Sequence, residues 1–306
     1  MIPVLLLLWI ASAILLTLEQ RVVRLIILLG IFSLISSICF FLLAAPDVAM
    51  AEAVVSAFST ILFIVCFEKY YSIVAPSSAR APAKKENRLI PLGFTILIAV
   101  LFILFIPGAA PVTRLKDLYI SLFHAEIGGE NAVTAIYMGY RVYNTLFEAL
   151  MLLVSIVAVA HLSRHENTVV TEMDPSGVSD SNIIGVTVRI ICPILLLVSV
   201  YLIVSGHIKP GGGFHGGVAA AAFFVCRYMI YGISDIRIDK TVVVEKLTYL
   251  CIVLFTLYFI FIGAHSHLPI PKSTYLITIN MLFGIKVACG FFIVFYRFIA
   301  FERRKA

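Results

Sequence analysis

The sequence predicts an all-α protein, a polytopic bundle of about nine transmembrane helices. Of the 306 residues, 61% are hydrophobic and only 13% are charged, whereas soluble domains carry about 25% charged residues. The apolar residues also form runs close to the roughly 20 residues that a helix needs to cross a bilayer. These runs are Ile2–Leu16, Leu25–Ala45, Val48–Phe67, Leu89–Ile106, Val133–Leu162, Ile183–Ser205, Phe214–Tyr231, Val242–Gly263 and Tyr275–Ala300.

The first run, Ile2–Leu16, is the shortest and lies at the start of the sequence. A secretory signal peptide has a basic segment before its apolar segment and a small-residue cleavage site after it. No basic residue precedes this run, and the small residues Ala11, Ser12 and Ala13 lead into further apolar residues. We therefore expect a retained first helix.

The basic residues concentrate in alternate loops. Of the 23 Lys and Arg residues, 15 fall in the segments 18–24, 68–88, 164–182, 227–240 and 297–306. Because loops rich in Lys and Arg face the cytoplasm, we expect the N-terminus outside the cell and the C-terminus in the cytoplasm, which requires an odd number of spans. The net charge of +6 thus fits a multi-pass protein of the plasma membrane and does not indicate nucleic-acid binding.

Two hydrophilic stretches, 76–88 and 164–182, have the composition of linkers and lie on the predicted cytoplasmic side. They divide the chain into a three-helix module at 1–75, a two-helix module with an outer loop at 89–163, and a four-helix module at 183–306. The six cysteines stand alone in apolar runs, without the CxxC spacing of a metal site. We therefore expect no metal, cofactor or catalytic site within this chain.

Asp47 and Glu52 lie at the start of the third run, after Pro46. Asp47 can accept hydrogen bonds as an N-cap, so a capping role and an ion site are both open for it. Glu52 lies about 7 Å from the start of the helix, among small apolar residues. Because ionisable residues in a bilayer mark ion paths or buried pairs, both are candidates for proton or cation handling.

The fifth run contains Arg141 and Glu148, seven residues apart. On one continuous helix their side chains project from the same face, about 10 Å apart along the axis. Glu148 lies near the middle of the bilayer, where an unpaired carboxyl group is either neutral or needs a cationic partner. Lys286, in the last run, is about 17 Å from the start of its helix, too deep to snorkel easily. It either pairs with a carboxylate such as Glu148 or exchanges a proton itself.

A glycine-rich connection, residues 206–217, links the sixth and seventh runs. Its spacing satisfies the G-x-G-x-x-G pattern of dinucleotide-binding proteins, but that pattern must follow a β-strand, and here a membrane helix precedes it. The glycines instead predict either an irregular turn that is buried or lines a wet cavity, or tight helix packing. The candidate residues are His207 and His215 for ion handling, and Gly206, Pro210, Gly211, Gly212, Gly213, Gly216 and Gly217 for the turn.

Together these places resemble the Mrp-type multisubunit Na⁺/H⁺ antiporters and the related membrane arms of energy-converting hydrogenases and sulfur reductases. The glycine turn and Gly284-Ile285-Lys286-Val287 are similar to the antiporter's B subunit, over residues 183–300. Pro46-Asp47-Val48-Ala49 with Glu52-Ala53 is similar to the C-terminal part of the antiporter's large A subunit. Ala132-Val133-Thr134 with Arg141, Thr145 and Glu148 resembles the next piece of that region, over about 89–163.

The resemblance implies that the chain helps to form a Na⁺ or H⁺ route beside large antiporter-like and small antiporter subunits. On this interpretation Asp47, Glu52 and Glu148 are ion sites, Lys286 is a charge partner and the glycine turn joins neighbouring subunits. The sequence departs from the family at Asn144, where an Asp is usual, at Phe147, where a Gly is usual, and at His215, which is commonly Gln. Any role that needs a negative charge at position 144 is therefore in doubt.

The preferred hypothesis is a non-catalytic membrane subunit of a cation/proton antiporter module. Attachment of that module to a redox enzyme, with a hydrogenase or iron–sulfur partner, stays open at this stage. Two other hypotheses stay open too: a stand-alone secondary transporter, and a structural anchor whose buried charges only pair and hold partner subunits.

Overall fold

The computed structural model describes residues 2–74, 113–162, 183–231, 238–263 and 272–301, and single helical residues at 93, 96–98, 100, 101 and 104. The described residues form helices and no β-strand, which confirms the all-α prediction. The helices are α1 (Ile2–Leu18), α2 (Val22–Leu42), α3 (Pro46–Val74), α4 (Thr113–Glu126), α5 (Ala132–Ala135), α6 (Val142–Leu162), α7 (Ile183–Ser205), α8 (Gly213–Tyr231), α9 (Ile238–Tyr258) and α10 (Lys272–Phe301).

Six helices within the described residues are long and apolar enough to cross a membrane, which confirms a multi-pass transmembrane bundle. They lie at Val22–Leu42, Pro46–Ile64, Val142–Leu162, Val186–Ser205, Ile238–Phe261 and Lys272–Phe298. The predicted count of about nine is not confirmed, because α1 is shorter than these six, α8 at the predicted run Phe214–Tyr231 is not among them, and most of Leu89–Ile106 lies outside the described residues. The predicted linkers 76–88 and 164–182 also lie outside them.

Helix α10 is the central element of the bundle. It packs against α8 and α9 most extensively and also contacts α3, α6 and α7. In its apolar window 56% of the residues are buried, against 11–22% in the other five candidate spans. Glycines allow the close approach of α8, because a Cβ atom on Gly217 would lie only 2.7 Å from the carbonyl oxygen of Gly284. Small residues permit such backbone contact between membrane helices.

The N-terminal helices α1, α2 and α3 pack in sequence, and α3 joins them to α8 and α10. Hydroxyl groups line the contacts between these helices. The indole nitrogen of Trp9 donates to Ser36 Oγ at 2.6 Å, and Ser37 Oγ donates to the carbonyl oxygen of Ala49 at 2.7 Å. Polar contacts of this kind hold membrane helices together where the lipid gives no hydrophobic drive for their association.

The predicted span Val133–Leu162 is not one continuous α-helix. A π-helical turn at Ile136–Tyr140 follows α5, and Arg141 then leaves the helical conformation with φ −110° and ψ 26°. Such turns are frequent at functional sites. Here the turn releases the carbonyl oxygen of Tyr137, which accepts a hydrogen bond from Thr145 Oγ1 at 2.6 Å. Arg141 therefore lies before the helix that contains Glu148, so the prediction that both share one helix is wrong.

Candidate functional site

A cavity of about 400 Å³ lies where α3, α6, α8 and α10 meet, close to the π-helical turn. Most of its wall is apolar, and the polar exceptions are Asp47, Tyr137, Thr145, Glu148, His215 and Lys286. Four of these, Asp47, Glu148, His215 and Lys286, are residues that the sequence singled out. They come from parts of the chain up to 239 positions apart (286 − 47), and the packing of four helices brings them to one space.

Lys286 lies on the wall of this cavity and forms an ion pair with Glu245 on α9. The two side chains are 0% and 1% exposed. The Lys286 ammonium also lies 5.0 Å from the ring centroid of Tyr249, within range of a cation–π contact. A buried ion pair is a strongly constrained arrangement, because loss of either partner leaves the other charge without compensation.

Glu245 is the main residue that the sequence analysis missed. The structure pairs it with Lys286, so the suggested pairing of Lys286 with Glu148 is wrong in this conformation. Glu245 is followed by Lys246, which is exposed. Two adjacent charged residues near the start of a helix are typical of a solvated helix end, so Glu245 did not stand out as a buried residue. The available signal was the carboxylate itself, because an acidic residue seven positions inside α9 needs a partner in the bilayer.

Glu148 has a different environment from that of Lys286. Its side chain lines the cavity yet is exposed in this chain, and no hydrogen bond or ion pair joins it to another described residue. Val48 and Val133 also line the cavity and are 48% and 47% exposed. These residues mark the mouth through which the cavity opens at the surface between α3, α5 and α6.

Asp47 connects the start of α3 to the glycine turn. One oxygen of its carboxylate accepts hydrogen bonds from the Gly211 backbone N–H at 3.2 Å and from Asn131 Nδ2 at 3.4 Å. Helix α3 begins at Pro46, so Asp47 already lies in its first turn. The N-cap role that the sequence left open for Asp47 is therefore replaced by a contact between distant segments.

We call the contact between Asp47, Asn131 and Gly211 the joint. Asn131 is its second member and has no distinctive signal in the sequence. Its side-chain oxygen caps α5 by accepting from the backbone N–H groups of Val133 and Thr134 at 3.0 and 3.4 Å. Its amide nitrogen donates to the carbonyl oxygens of Lys209 at 3.0 Å and Gly206 at 3.4 Å. One buried side chain thus satisfies backbone groups of two segments.

The backbone of the glycine turn is irregular and its glycines are buried, and Gly217 also makes the tight helix contact that was the alternative expectation. Gly211 and Gly212 have φ values of +148° and +119°, a region that residues with a Cβ atom rarely adopt. The Gly206 carbonyl oxygen accepts from Thr134 Oγ1 at 2.6 Å. At the start of α8 the Gly213 N–H donates at 3.0 Å to the side-chain oxygen of Asn280, which is fully buried on α10. Irregular backbone inside a membrane protein is tolerated where it is satisfied in this way.

The remaining predicted residues lie away from the cavity wall. Glu52 projects towards α2, where its carboxylate accepts a hydrogen bond from Ser33 Oγ. Arg141 is exposed at the end of the π-helical turn. His207 contributes its carbonyl oxygen, which accepts from the backbone N–H groups of Glu130 at 2.9 Å and Asn131 at 3.1 Å. Pro210 is partly buried within the turn.

Two family models match separate parts of the chain. Residues 183–301 match the family model described as a domain related to the MnhB subunit of Na⁺/H⁺ antiporters, and residues 7–71 match the model MbhD, which describes the D subunit of MBH. The chain is thus similar to the MnhB-related model in its C-terminal part and to the MbhD model in its N-terminal part. The glycine turn, His215, Glu245 and Lys286 lie in the region that matches the MnhB-related model, and Asp47 and Glu52 lie in the region that matches MbhD. Asn131 and Glu148 fall between the two matches.

Curated relatives are antiporter subunits. A putative antiporter subunit mnhA2 from Staphylococcus aureus strain JH9 is 29% identical over 152 residues, which are 49% of this chain and 18% of the relative. The same protein from strain COL matches equally. The match thus spans less than a fifth of the length of these curated relatives.

Two solved structures have the same fold. A chain in the structure of the Mrp complex from Dietzia sp. DQ12-45-1b superposes with a TM-score of 0.78 at 18% identity, over 99% of this chain and 35% of that one. A chain of the membrane-bound sulfane sulfur reductase, an archaeal respiratory membrane complex, superposes with a TM-score of 0.54 at 24% identity. That match covers 69% of this chain and 97% of the other. At these identities the likeness concerns the fold.

Proposed function

We propose that this chain is a non-catalytic membrane subunit of a multisubunit cation/proton antiporter module and lines part of the Na⁺ or H⁺ route. The observation that carries the proposal is the shared cavity, with the Glu148 carboxylate at its mouth and the Lys286 ammonium on its inner wall. Ionisable residues inside a membrane protein by default mark an ion path. The match to the MnhB-related model and the mnhA2 relatives support the same class of complex.

The Glu148 carboxylate and the Lys286 ammonium allow a bound ion to be exchanged for a side-chain charge. While Lys286 is held by Glu245, the Glu148 carboxylate is free to bind a cation or a proton that enters the cavity. When the Lys286 ammonium leaves Glu245 and points into the cavity, it compensates Glu148 itself and repels the transported cation. Glu148 therefore has two mutually exclusive partners, and movement of one side chain between two carboxylates couples ion release to charge movement within the chain.

The surroundings of the site fit this role. Asp47 and His215 add a carboxylate and an imidazole to the cavity wall, and Tyr137 and Thr145 add hydroxyl groups that can hold water or an ion. The Nδ1 atom of His215 is buried without a hydrogen-bond partner in the described part of the chain. Within a mostly apolar wall such groups favour a hydrated pocket, because buried polar atoms without partners destabilise a dry one.

The proposal includes the setting of the chain within a complex. It lies in the plasma membrane with its N-terminus outside and its C-terminus in the cytoplasm, since its basic loops alternate in that sense. Its partners are other membrane subunits, both large antiporter-like subunits and small ones. A tagged chain purified in mild detergent should bring them down. Recovery of an iron–sulfur or hydrogenase protein with them would show that the complex is driven by electron transfer.

Ion exchange by the assembled complex in everted membrane vesicles tests the role of the cavity. We expect Glu148→Gln to reduce Na⁺/H⁺ exchange by about a hundredfold or more, the lower end of the range for loss of one proton-transfer group, while the complex still assembles. Glu130→Gln is the matched control, because Glu130 is an exposed carboxylate outside the cavity. Equal exchange by both variants would overturn the ion-route proposal.

One observation favours a second candidate function, that of a structural anchor. Glu245 and Lys286 already form a closed pair with at most 1% exposure, which is what an anchor needs. An anchor predicts that the double variant Glu245→Met with Lys286→Met assembles and supports full exchange. The ion-route proposal predicts assembly without exchange.

A further inference from the structure

Glu148 lies at a depth in the membrane where a carboxylate that faces only lipid is unfavourable. It is the seventh residue of the 21-residue helix α6, about 9 Å from the start of that helix. Its side chain is exposed in this chain. Ionisable side chains within membrane spans almost always face protein or a water-filled cavity. The exposed side of Glu148 therefore requires a cover other than lipid tails.

The surface around Glu148 has the pattern of a helix contact. Tyr143, Phe147, Met151 and Val154 of α6 are 59%, 65%, 65% and 59% exposed. Their spacing of three and four residues places them in one stripe along the helix. We call this stripe, together with Glu148, the α6 face. It runs past the mouth of the cavity, so a helix that lies along it would border that mouth.

The chain does not compensate the charge of Glu148 from its own described residues. Lys286, the cation on the cavity wall, is paired with Glu245. Arg141 precedes α6 and is not among the residues that line the cavity. A cation from a partner that covers the α6 face would therefore stabilise the ionised carboxylate at that depth.

We infer that a transmembrane helix from a partner protein docks along the α6 face and places a Lys or Arg side chain opposite Glu148 at the mouth of the cavity. The inference rests on the proposed function only in taking the chain to be part of a complex. It adds the docking surface and the chemistry of the partner. The apolar stripe supplies the packing area, and the carboxylate supplies charge complementarity, which fixes the register of the docked helix.

Site-specific photocrosslinking in the assembled complex tests where the partner lies. A benzophenone amino acid at position 147 and, separately, at 151 should give the same crosslinked membrane protein. Leu197 on α7, which is 72% exposed, is the matched control position and should not give that product. If the complex purifies intact but positions 147 and 151 crosslink only to lipid, the inference is overturned while the proposed function stands.

Charge reversal tests the chemistry of the contact. We expect Glu148→Lys to reduce recovery of the crosslinked partner by at least tenfold, and both Glu148→Gln and Glu130→Lys to leave it near the wild-type level. Replacement of the partner's basic residue by Glu should then restore recovery in the Glu148→Lys background. Equal recovery with Glu148→Lys and Glu130→Lys would overturn the inference. Purification of the wild-type chain without any partner would instead overturn the proposed function.

Discussion

Replacement of Lys286 by Met should destabilise the protein severely, although the two side chains have similar length. The change removes a cation that is 0% exposed and leaves the Glu245 carboxylate, 1% exposed, without its partner. Breaking a buried pair from one side costs about 3–5 kcal/mol, whereas replacing both partners by apolar residues of similar volume is often close to neutral. We therefore expect Lys286→Met to lower the free energy of unfolding by about 3–5 kcal/mol. The double variant with Glu245→Met should recover most of that loss.

The native cysteines provide the assay. Cys39 is buried and the other five are partly buried, so labelling by a thiol-reactive dye follows unfolding in detergent without an added probe. Lys246→Met is the control, because Lys246 is an exposed neighbour of Glu245 and exposed substitutions usually change stability by less than about 0.5 kcal/mol. The reasoning fails if Lys286→Met behaves like Lys246→Met, or if the double variant loses the sum of the two single losses.

Three further substitutions can be measured by the same assay. Gly217→Val should destabilise by about 1–3 kcal/mol or more through overpacking, because its Cβ would meet α10 backbone at 2.7 Å; Gly93→Val, with nothing within 4 Å, should not. Asn131→Ala should cost about 1–2 kcal/mol by removing the α5 cap and should also raise protease access to the glycine turn. Ser33→Ala should cost about 1 kcal/mol by removing a donor to Glu52, and an unchanged stability would show that this contact is dispensable.

The residues of the cavity were predictable as individuals but not as a set. A charged residue inside an apolar run is by default a functional candidate, and this rule identified Asp47, Glu148 and Lys286; it applies equally to Glu245, which the adjacent Lys246 obscured. Which charges meet depends on how helices rotate and cross, and neither is encoded in a local pattern. Glu245 and Lys286 are 41 positions apart, and the sequence around one of them does not indicate that the other is its partner. For the same reason Glu52 looked isolated in sequence although Ser33 lies beside it.

The break before α6 could not be predicted from hydrophobicity. Residues 133–162 form a predominantly apolar run with scattered polar residues, and a π-helical turn leaves no mark in that composition. The turn is visible only in the structure, where it frees the Tyr137 carbonyl oxygen for the hydrogen bond from Thr145 Oγ1. Composition, by contrast, predicted an all-α multi-pass membrane protein correctly, because the length of an apolar run and the thickness of a bilayer are directly related, although its count of about nine spans is not confirmed.

The joint formed by Asp47, Asn131 and Gly211 also has a consequence for assembly. Its contacts connect positions 84 and 164 residues apart within one polypeptide, and the families that match the chain treat its two ends as separate domains. Because the three segments are covalently tethered, their association is intramolecular and independent of protein concentration. Each copy of the chain also supplies the three segments in a fixed 1:1:1 ratio. Cutting the chain at residues 76–88 should therefore make formation of the joint depend on protein concentration, so that dilution separates Asp47 from Asn131 and Gly211.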